Sequence, residues 1–317
     1  MEPVRRAVID VGTNSIKLLV AEVAGRDVKP LLEESRQTRL GSGFYKTRRL
    51  QPGPVATTAE AVTAYAKAAQ AWGARSIRVV ATSAARDAEN SQDLTGAIEN
   101  ACGLKVEIIS GDQEADWVFS GVTTDHELAA QPLLLIDVGG GSTEFIVGRG
   151  EQKQFRQSFP LGTVRLLEST PRSDPPTAQE LASCRQWLSH FLDAEVKPKL
   201  APWLRVEPAK PFPLPLRLVG TGGTASILAR IEAGLTDFDR RRIEGTRLSF
   251  ARIQWHTNHL WSLPLAQRRN IPGLPPKRAD VILMGVAIYE AVMANLGFQE
   301  LRVSTRGLRF AAVMEGA

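Results

Sequence analysis

Two short stretches of the chain carry the same chemistry-bearing pattern. Asp10-Val-Gly-Thr-Asn-Ser15-Ile-Lys-Leu-Leu-Val20 and Asp137-Val-Gly-Gly-Gly-Ser142-Thr-Glu-Phe-Ile-Val147 align without a gap, with the Asp, the Val, the Gly, the Ser and the final Val coinciding. Each copy follows an apolar run and precedes another, so each reads as strand, tight turn, strand. Glycine in such a turn accepts positive φ and lets the backbone approach a ligand closely. Successive amide N–H groups then form a concave anion site, to which a serine hydroxyl adds a donor. The candidate phosphate-binding residues are therefore Gly12, Thr13, Asn14 and Ser15 in the first loop, and Gly139, Gly140, Gly141 and Ser142 in the second. The leading acids Asp10 and Asp137 can each hold a hydrated divalent cation. A glycine-rich hairpin with an acid is also an ordinary turn; it is the repetition in equal register that argues for chemistry.

A third glycine cluster, Gly220-Thr221-Gly222-Gly223-Thr224, follows an apolar run and opens a helical pattern. That context sets backbone amides and a helix N-terminus beside an anion, although a simple helix-entry turn looks the same. No Gly-x-x-x-x-Gly-Lys and no Rossmann fingerprint occurs in the chain. Two further carboxylates stand near these loops. Glu114, in Ser110-Gly-Asp-Gln-Glu114, begins a helix after a strand, where it can deprotonate water for attack on phosphorus or simply answer the helix dipole. Glu144 lies just past the second loop and, with Asp137, can flank a metal ion. His256 and His259 share a helical spacing between Trp255 and Trp261 and read as packing, with no third ligand. Neither Cys102 nor Cys184 has a recognisable partner.

The elements that must position these groups alternate between short apolar runs and longer helical patterns. Strands are expected at 7–9, 77–81, 106–109, 133–136, 145–147, 216–219 and 301–303, and helices at 58–72, 93–101, 114–122, 178–192, 224–230 and 279–296. Thr177 and Glu180 form a capping box for one of them. This is an α/β protein, and the chemistry-bearing residues fall where such sheets bind ligands, beyond the carboxyl ends of strands. The segment 197–215 contains six prolines and reads as an excursion loop rather than a helix. At 317 residues, 43% hydrophobic and 23% charged, the chain has the make-up of a globular protein of about two domains. No apolar stretch reaches membrane-span length, since 279–296 is interrupted by Asp280 and Glu290. No export signal precedes the first strand, so a cytoplasmic location is expected. The net charge of +5 and pI of about 9.4 suit a polyanionic ligand. The basic residues are scattered, with clusters only at Lys46-Thr-Arg48-Arg49 and Arg240-Arg241-Arg242, so no dedicated nucleic-acid surface is expected.

Over nearly its whole length the sequence resembles the exopolyphosphatase and guanosine pentaphosphate phosphohydrolase family, within the wider sugar-kinase, actin and heat-shock ATPase fold. The resemblance is carried by both loops and by Ala81-Thr-Ser-Ala-Ala-Arg86-Asp, Ile109-Ser-Gly-Asp-Gln-Glu114 and Pro160-Leu-Gly-Thr-Val-Arg165. It continues through Gly220-Thr-Gly-Gly-Thr, Arg278-Ala-Asp-Val-Ile and Ser304-Thr-Arg-Gly-Leu-Arg309. It implies two actin-like, ribonuclease H-like lobes with a cleft between them, at about 1–125 and 126–304, with 305–317 a helix near the hinge. It implies Glu114 as general base, Asp137 and Glu144 as supports for magnesium or manganese, and Arg86 and Arg278 as phosphate contacts. The family's usual Gly-Leu-Arg-Glu-Gly ending is here Gly307-Leu-Arg-Phe-Ala311, and Glu244-Gly245 stands where members often have His-Gly.

The expected reaction is release of terminal orthophosphate from inorganic polyphosphate, with the basic clusters holding the distal chain. Guanosine pentaphosphate is the alternative substrate, disfavoured because no aromatic platform for guanine is evident near the loops. A homodimer is a candidate assembly. The rivals are a kinase or ATPase of the same fold, and a non-catalytic polyanion-binding module, against which the intact Glu114, Asp137 and Glu144 argue.

Overall fold

A computed structural model describes residues 2–170, 172–204 and 215–315. The chain divides into two compact units. One comprises Met1–Asp125, Gly140–Ser142 and Arg306–Ala317, and the other His126–Gly139 and Thr143–Thr305.

The first unit holds a five-stranded sheet of β1 (Val4–Val11), β2 (Ile16–Ala24), β3 (Asp27–Arg36), β4 (Ser76–Ala81) and β5 (Val106–Ile108), in the order β3-β2-β1-β4-β5. β1 pairs antiparallel with β2 through the first glycine loop, and parallel with β4, which is in turn parallel to β5. The second unit holds six strands. They are β6 (Leu133–Val138), β7 (Thr143–Arg149), β8 (Gln152–Phe159), β9 (Arg217–Thr221), β10 (Arg247–Ser249) and β11 (Glu300–Val303), in the order β10-β11-β9-β6-β7-β8. β6 pairs antiparallel with β7 through the second loop and parallel with β9, which is parallel to β11. Leaving aside the extra edge strand β10, the second sheet repeats the first strand for strand. The repeat extends to detail: a bulge interrupts β2/β3 at Val20/Ala21 and β7/β8 at the matching Val147/Gly148. The sequence repeat thus marks a duplicated supersecondary unit, and the expected two-lobed actin-like α/β fold holds.

Each unit buries a core of its own. Ile9, Ile16, Leu18 and Val20 pack with Phe44, Leu94 and Ile98 in the first. Ile136, Phe145 and Val147 pack with Leu188, Leu228 and the helix Ile282–Leu296 in the second. That helix is apolar nearly all round and correspondingly buried; its Glu290 is paired with Arg185 at 2.8 Å. Among the described residues no helix is long and apolar enough to cross a membrane.

Several elements differ from the sequence expectation. The edge strands β3 and β8 are absent from it, because their exposed faces carry charges that mask the alternation. The helix expected from 58 begins at Pro52, two prolines occupying a first turn whose N–H groups need no helical partner. The proline-rich excursion begins instead as a helix, Lys197–Leu204, with Pro202 inside it. A π turn, Leu192–Val196, precedes it and shifts the hydrogen-bond ladder just before Pro198. The rest of that segment, 205–214, lies outside the described residues. The capping box forms as expected, Thr177 Oγ1 accepting from the Glu180 N–H while Glu180 accepts from the Thr177 N–H.

Candidate active site

Because β1, β4 and β5 run parallel, their carboxyl ends share one edge of the first sheet, and the chemistry-bearing residues follow each of them. After β1 the loop 12–15 is closed by the Gly12 N–H donating to Ser15 O at 3.1 Å. It is braced by the Gly41 N–H on Thr13 O (2.7 Å) and the Arg39 N–H on Asn14 O (3.0 Å). After β4 the short helix Ser83–Asp87 carries Arg86. After β5 Ser110 caps the helix Gly111–Val122, its Oγ accepting from the Gln113 N–H, and Glu114 lies in the first turn. The Arg86 Nη1 donates to Glu114 Oε2 at 2.9 Å and to Ile109 O at 3.2 Å. Glu114 is only 9% exposed, so the guanidinium both offsets its burial and fixes its orientation.

The turn Gly140–Ser142 belongs by its contacts to this first unit, which explains two of its glycines. A Cβ at Gly140 would stand 2.8 Å from Thr13 Cβ, and one at Gly141 would stand 2.2 Å from Ser83 Oγ and 2.3 Å from the Tyr45 hydroxyl. The two glycine loops are therefore in van der Waals contact, and no larger residue fits.

In the second unit Asp137 and Glu144 are directly opposed across β6/β7. Glu144 is 1% exposed, and Ser158 Oγ donates to its Oε1 at 2.7 Å. Gly222, at φ +84°, opens the helix Gly222–Glu232, and a Cβ there would come within 2.1 Å of Asp137 Oδ1. The next residue, Gly223, makes room in the same way for Arg278, whose Nη2 would be 2.0 Å from an added Cβ. Burial against this turn lowers the Arg278 pKa to about 10, with Asp280 acting in the opposite direction. Beneath the turn lies the fully buried Tyr289, its hydroxyl donating to Thr221 O at 3.2 Å. Burial, and then the charge of Asp137, raises its pKa well above that of a free phenol.

Two carboxylates opposed across a sheet repel, Glu144 being buried and Asp137 half-buried; a divalent cation would relieve that repulsion. Among the described residues no cluster of three or more His, Cys, Asp or Glu side chains could cage a metal. Magnesium is commonly held by one or two carboxylates together with water and substrate phosphates, so Asp137 and Glu144 fit that mode. Asp10 stands opposite Lys17 rather than an acid across β1/β2.

Three groups here carry no signal that the sequence reading uses. Ser83 lies in a strand-end motif whose chemistry rests on other residues, and Tyr45 and Tyr289 are distant in sequence from the loops they touch. Glu244, which stands where family members often have His, accepts from Ser304 Oγ (3.0 Å) and from the Thr305 N–H (2.8 Å), holding the chain just past β11. Arg240 donates to Thr305 Oγ1, whereas Arg241, Arg242, Lys46, Arg48 and Arg49 are exposed. His256 is buried, with Nε2 2.8 Å from Glu232, and His259 stacks on Trp255, so the pair is packing.

Comparison with known proteins agrees with this arrangement. Residues 19–315 match the model of the Ppx/GppA phosphatase family. Exopolyphosphatase 2 of Mycobacterium tuberculosis is 35% identical over 315 residues, covering 95% of this chain and 94% of that protein. Among solved structures, the Ppx/GppA enzyme of Aquifex aeolicus superposes with a TM-score of 0.77 at 28% identity over 99% of each chain. An exopolyphosphatase-like protein reaches 0.88 at 28% identity, over 99% of this chain and 98% of the other. With strand-end loops, paired acids and the full length of the chain in agreement, the protein is a phosphoanhydride hydrolase belonging to the Ppx/GppA phosphatase family.

Proposed function

We propose that this chain releases terminal orthophosphate from inorganic polyphosphate. The observation that carries the reading is the opposed pair Asp137 and Glu144, closed against Gly222 beside Arg278. It is an opposed pair of carboxylates of the kind that holds a divalent cation together with water and phosphate, next to a glycine turn suited to phosphate. Magnesium or manganese held by Asp137 and Glu144, with Asp10 as a further candidate ligand, would offset the negative charge on the phosphates. In the first unit the phosphate contacts of this reading are the amides of loop 12–15 and of the turn 140–142, with Arg86; in the second they are Gly139 and the amides of 220–224, with Arg278. Glu114, steered by Arg86, takes a proton from a water as its oxygen bonds to the terminal phosphorus. The bond from that phosphorus to the bridging oxygen breaks, and the shortened chain leaves with the bridging oxygen. Positioning and electrostatics supply most of the rate in such transfers. Polyphosphate is preferred because relatives named exopolyphosphatase align over nearly the full chain, and because exposed Arg241, Arg242, Lys46, Arg48 and Arg49 suit a long polyanion.

One observation favours guanosine pentaphosphate as a second reading. Phe238 is exposed, with the Arg240 guanidinium 5.8 Å from its ring. Arg240 bonds Thr305, and the neighbouring Ser304 N–H donates to Gly220 O at 2.9 Å. Phe238 is thus linked to the third glycine turn through Arg240 and the 304–305 segment, and is the aromatic that this second reading would use as a platform for guanine. The deciding experiment is orthophosphate release from long polyphosphate, guanosine pentaphosphate and ATP, side by side with magnesium. The highest kcat/KM is expected for polyphosphate; a higher value for guanosine pentaphosphate would replace the first reading by the second.

A further inference from the structure

Buried polar atoms in folded proteins nearly always find a partner, and those that do not ask for a reason. In the first unit two such atoms lie in the elements that form the glycine-loop contact. Ser83, 3% exposed, follows β4, and its Oγ has no hydrogen-bond partner among the described residues. Asn14, 5% exposed, sits in the loop 12–15, and its Nδ2 has none. Ser83 Oγ lies against Gly141, and the Asn14 backbone N lies 3.3 Å from where a Gly140 Cβ would be. Arg86 follows Ser83 at the i+3 position of the same helix, which puts both on one face. An amide Nδ2 can only donate, and a serine hydroxyl can donate. Two idle donors beside a guanidinium and two glycine turns are matched by a ligand that only accepts.

We propose that Ser83 Oγ is a direct ligand of a phosphoryl oxygen, with Asn14 Nδ2 as a second donor to the same group. The inference rests on the reading of these loops as phosphate-binding, and adds to it a residue that the duplicated motif does not contain. The Gly141 turn lies over Ser83 Oγ, where a side chain at 141 would not fit. On this proposal the turn gives way to a phosphoryl oxygen, which becomes the partner that no described protein group supplies to Ser83 Oγ.

This gives Ser83 a signature that a structural hydroxyl lacks. Orthophosphate, without metal or polyphosphate, is titrated calorimetrically into the wild-type protein, Ser83→Ala and Thr58→Val, and the melting temperature of each is recorded. Thr58 is the reference because its buried hydroxyl donates to Pro54 O at 2.8 Å, away from the loops. Ser83→Ala is expected to weaken orthophosphate binding by about tenfold or more, the range for a hydrogen bond to a charged group. Its melting temperature stays level or rises, since no hydrogen bond is lost. Thr58→Val is expected to melt earlier and bind orthophosphate as the wild type does. Wild-type affinity in Ser83→Ala overturns the proposal, and so does a wild-type protein that binds no orthophosphate. Polyphosphate cleavage by the wild type is scored separately. A protein that cleaves polyphosphate but ignores Ser83→Ala refutes only this inference. One that binds orthophosphate through Ser83 but cleaves no polyphosphate refutes only the substrate reading.

Discussion

The two sheets are built on one plan yet differ at a single decisive pairing. In the first, Asp10 stands opposite Lys17; at the matching place in the second, Asp137 stands opposite Glu144. Strand order, loop length and even the bulge position are shared, so the scaffold does not account for the difference. An acid opposite an amine and an acid opposite an acid are electrostatically unlike pairs, and the second unit sets Gly222 against Asp137, with Gly223 next to it against Arg278. The first unit contributes a guanidinium-paired carboxylate, Glu114, on a helix that follows its own sheet. The two frames are alike in plan; the proposed cation pair stands on the second, and the proposed base follows the sheet of the first.

If that division is right, the base and the carboxylate pair fail in different ways when broken. The largest effect is expected from Glu114→Gln, which should lower kcat by roughly 10²–10⁴, the usual contribution of a positioned acid–base group, while leaving the magnesium requirement as it was. Steady-state kinetics across a magnesium series measures both; near-normal turnover would reduce Glu114 to an acid favoured by its helix dipole. Next comes the matched pair of variants Glu144→Gln and Lys17→Gln. The first should raise the magnesium concentration for half-activity about 10–100-fold, and the second should scarcely move it. Equal shifts in both would erase the asymmetry between the sheets.

A smaller effect, on stability, is expected at the glycines. Gly222→Ala strains a residue at φ +84° and drives its Cβ towards Asp137 Oδ1, for a loss of about 1–3 kcal/mol. Gly12→Ala meets Ser15 O only at 3.0 Å, without positive φ, and should cost less. Chemical denaturation compares them, and adding Asp137→Ala to Gly222→Ala should recover part of the loss if the clash is with that carboxylate. The least effect concerns pH. Burial lowers the Arg278 pKa to about 10, so its charge is complete at neutral pH and is lost as pH rises through that value. Phosphate affinity should therefore decline between about pH 9 and 10.5 in the wild type, more steeply than in Arg278→Gln, which has no charge there to lose. Parallel pH curves for the two proteins would remove Arg278 from the phosphate contacts.

Legibility followed the range of the interactions involved. Loop pattern, strand ends and the Thr177–Glu180 capping box are written within a few residues of one another, and local geometry carries them into the structure unchanged. The helix Lys197–Leu204 has the proline content of a loop, and only the preceding π turn accommodates it as a helix. β3 and β8 carry no alternation of their own, because a charged edge strand owes its pairing to its neighbour. The amino-acid sequence by itself determined that there are two Asp-x-Gly-x-x-Ser loops in equal register, a third glycine turn, and acids at strand ends. Only the tertiary structure decided that Asp137 faces Glu144 while Asp10 faces Lys17, that Arg86 holds Glu114, and that Tyr45, Ser83 and Tyr289 sit against the glycines. A turn is specified by the torsions of its own few residues, whereas a side chain's partner across a sheet or beneath a loop depends on strand register and on packing between segments tens of residues apart.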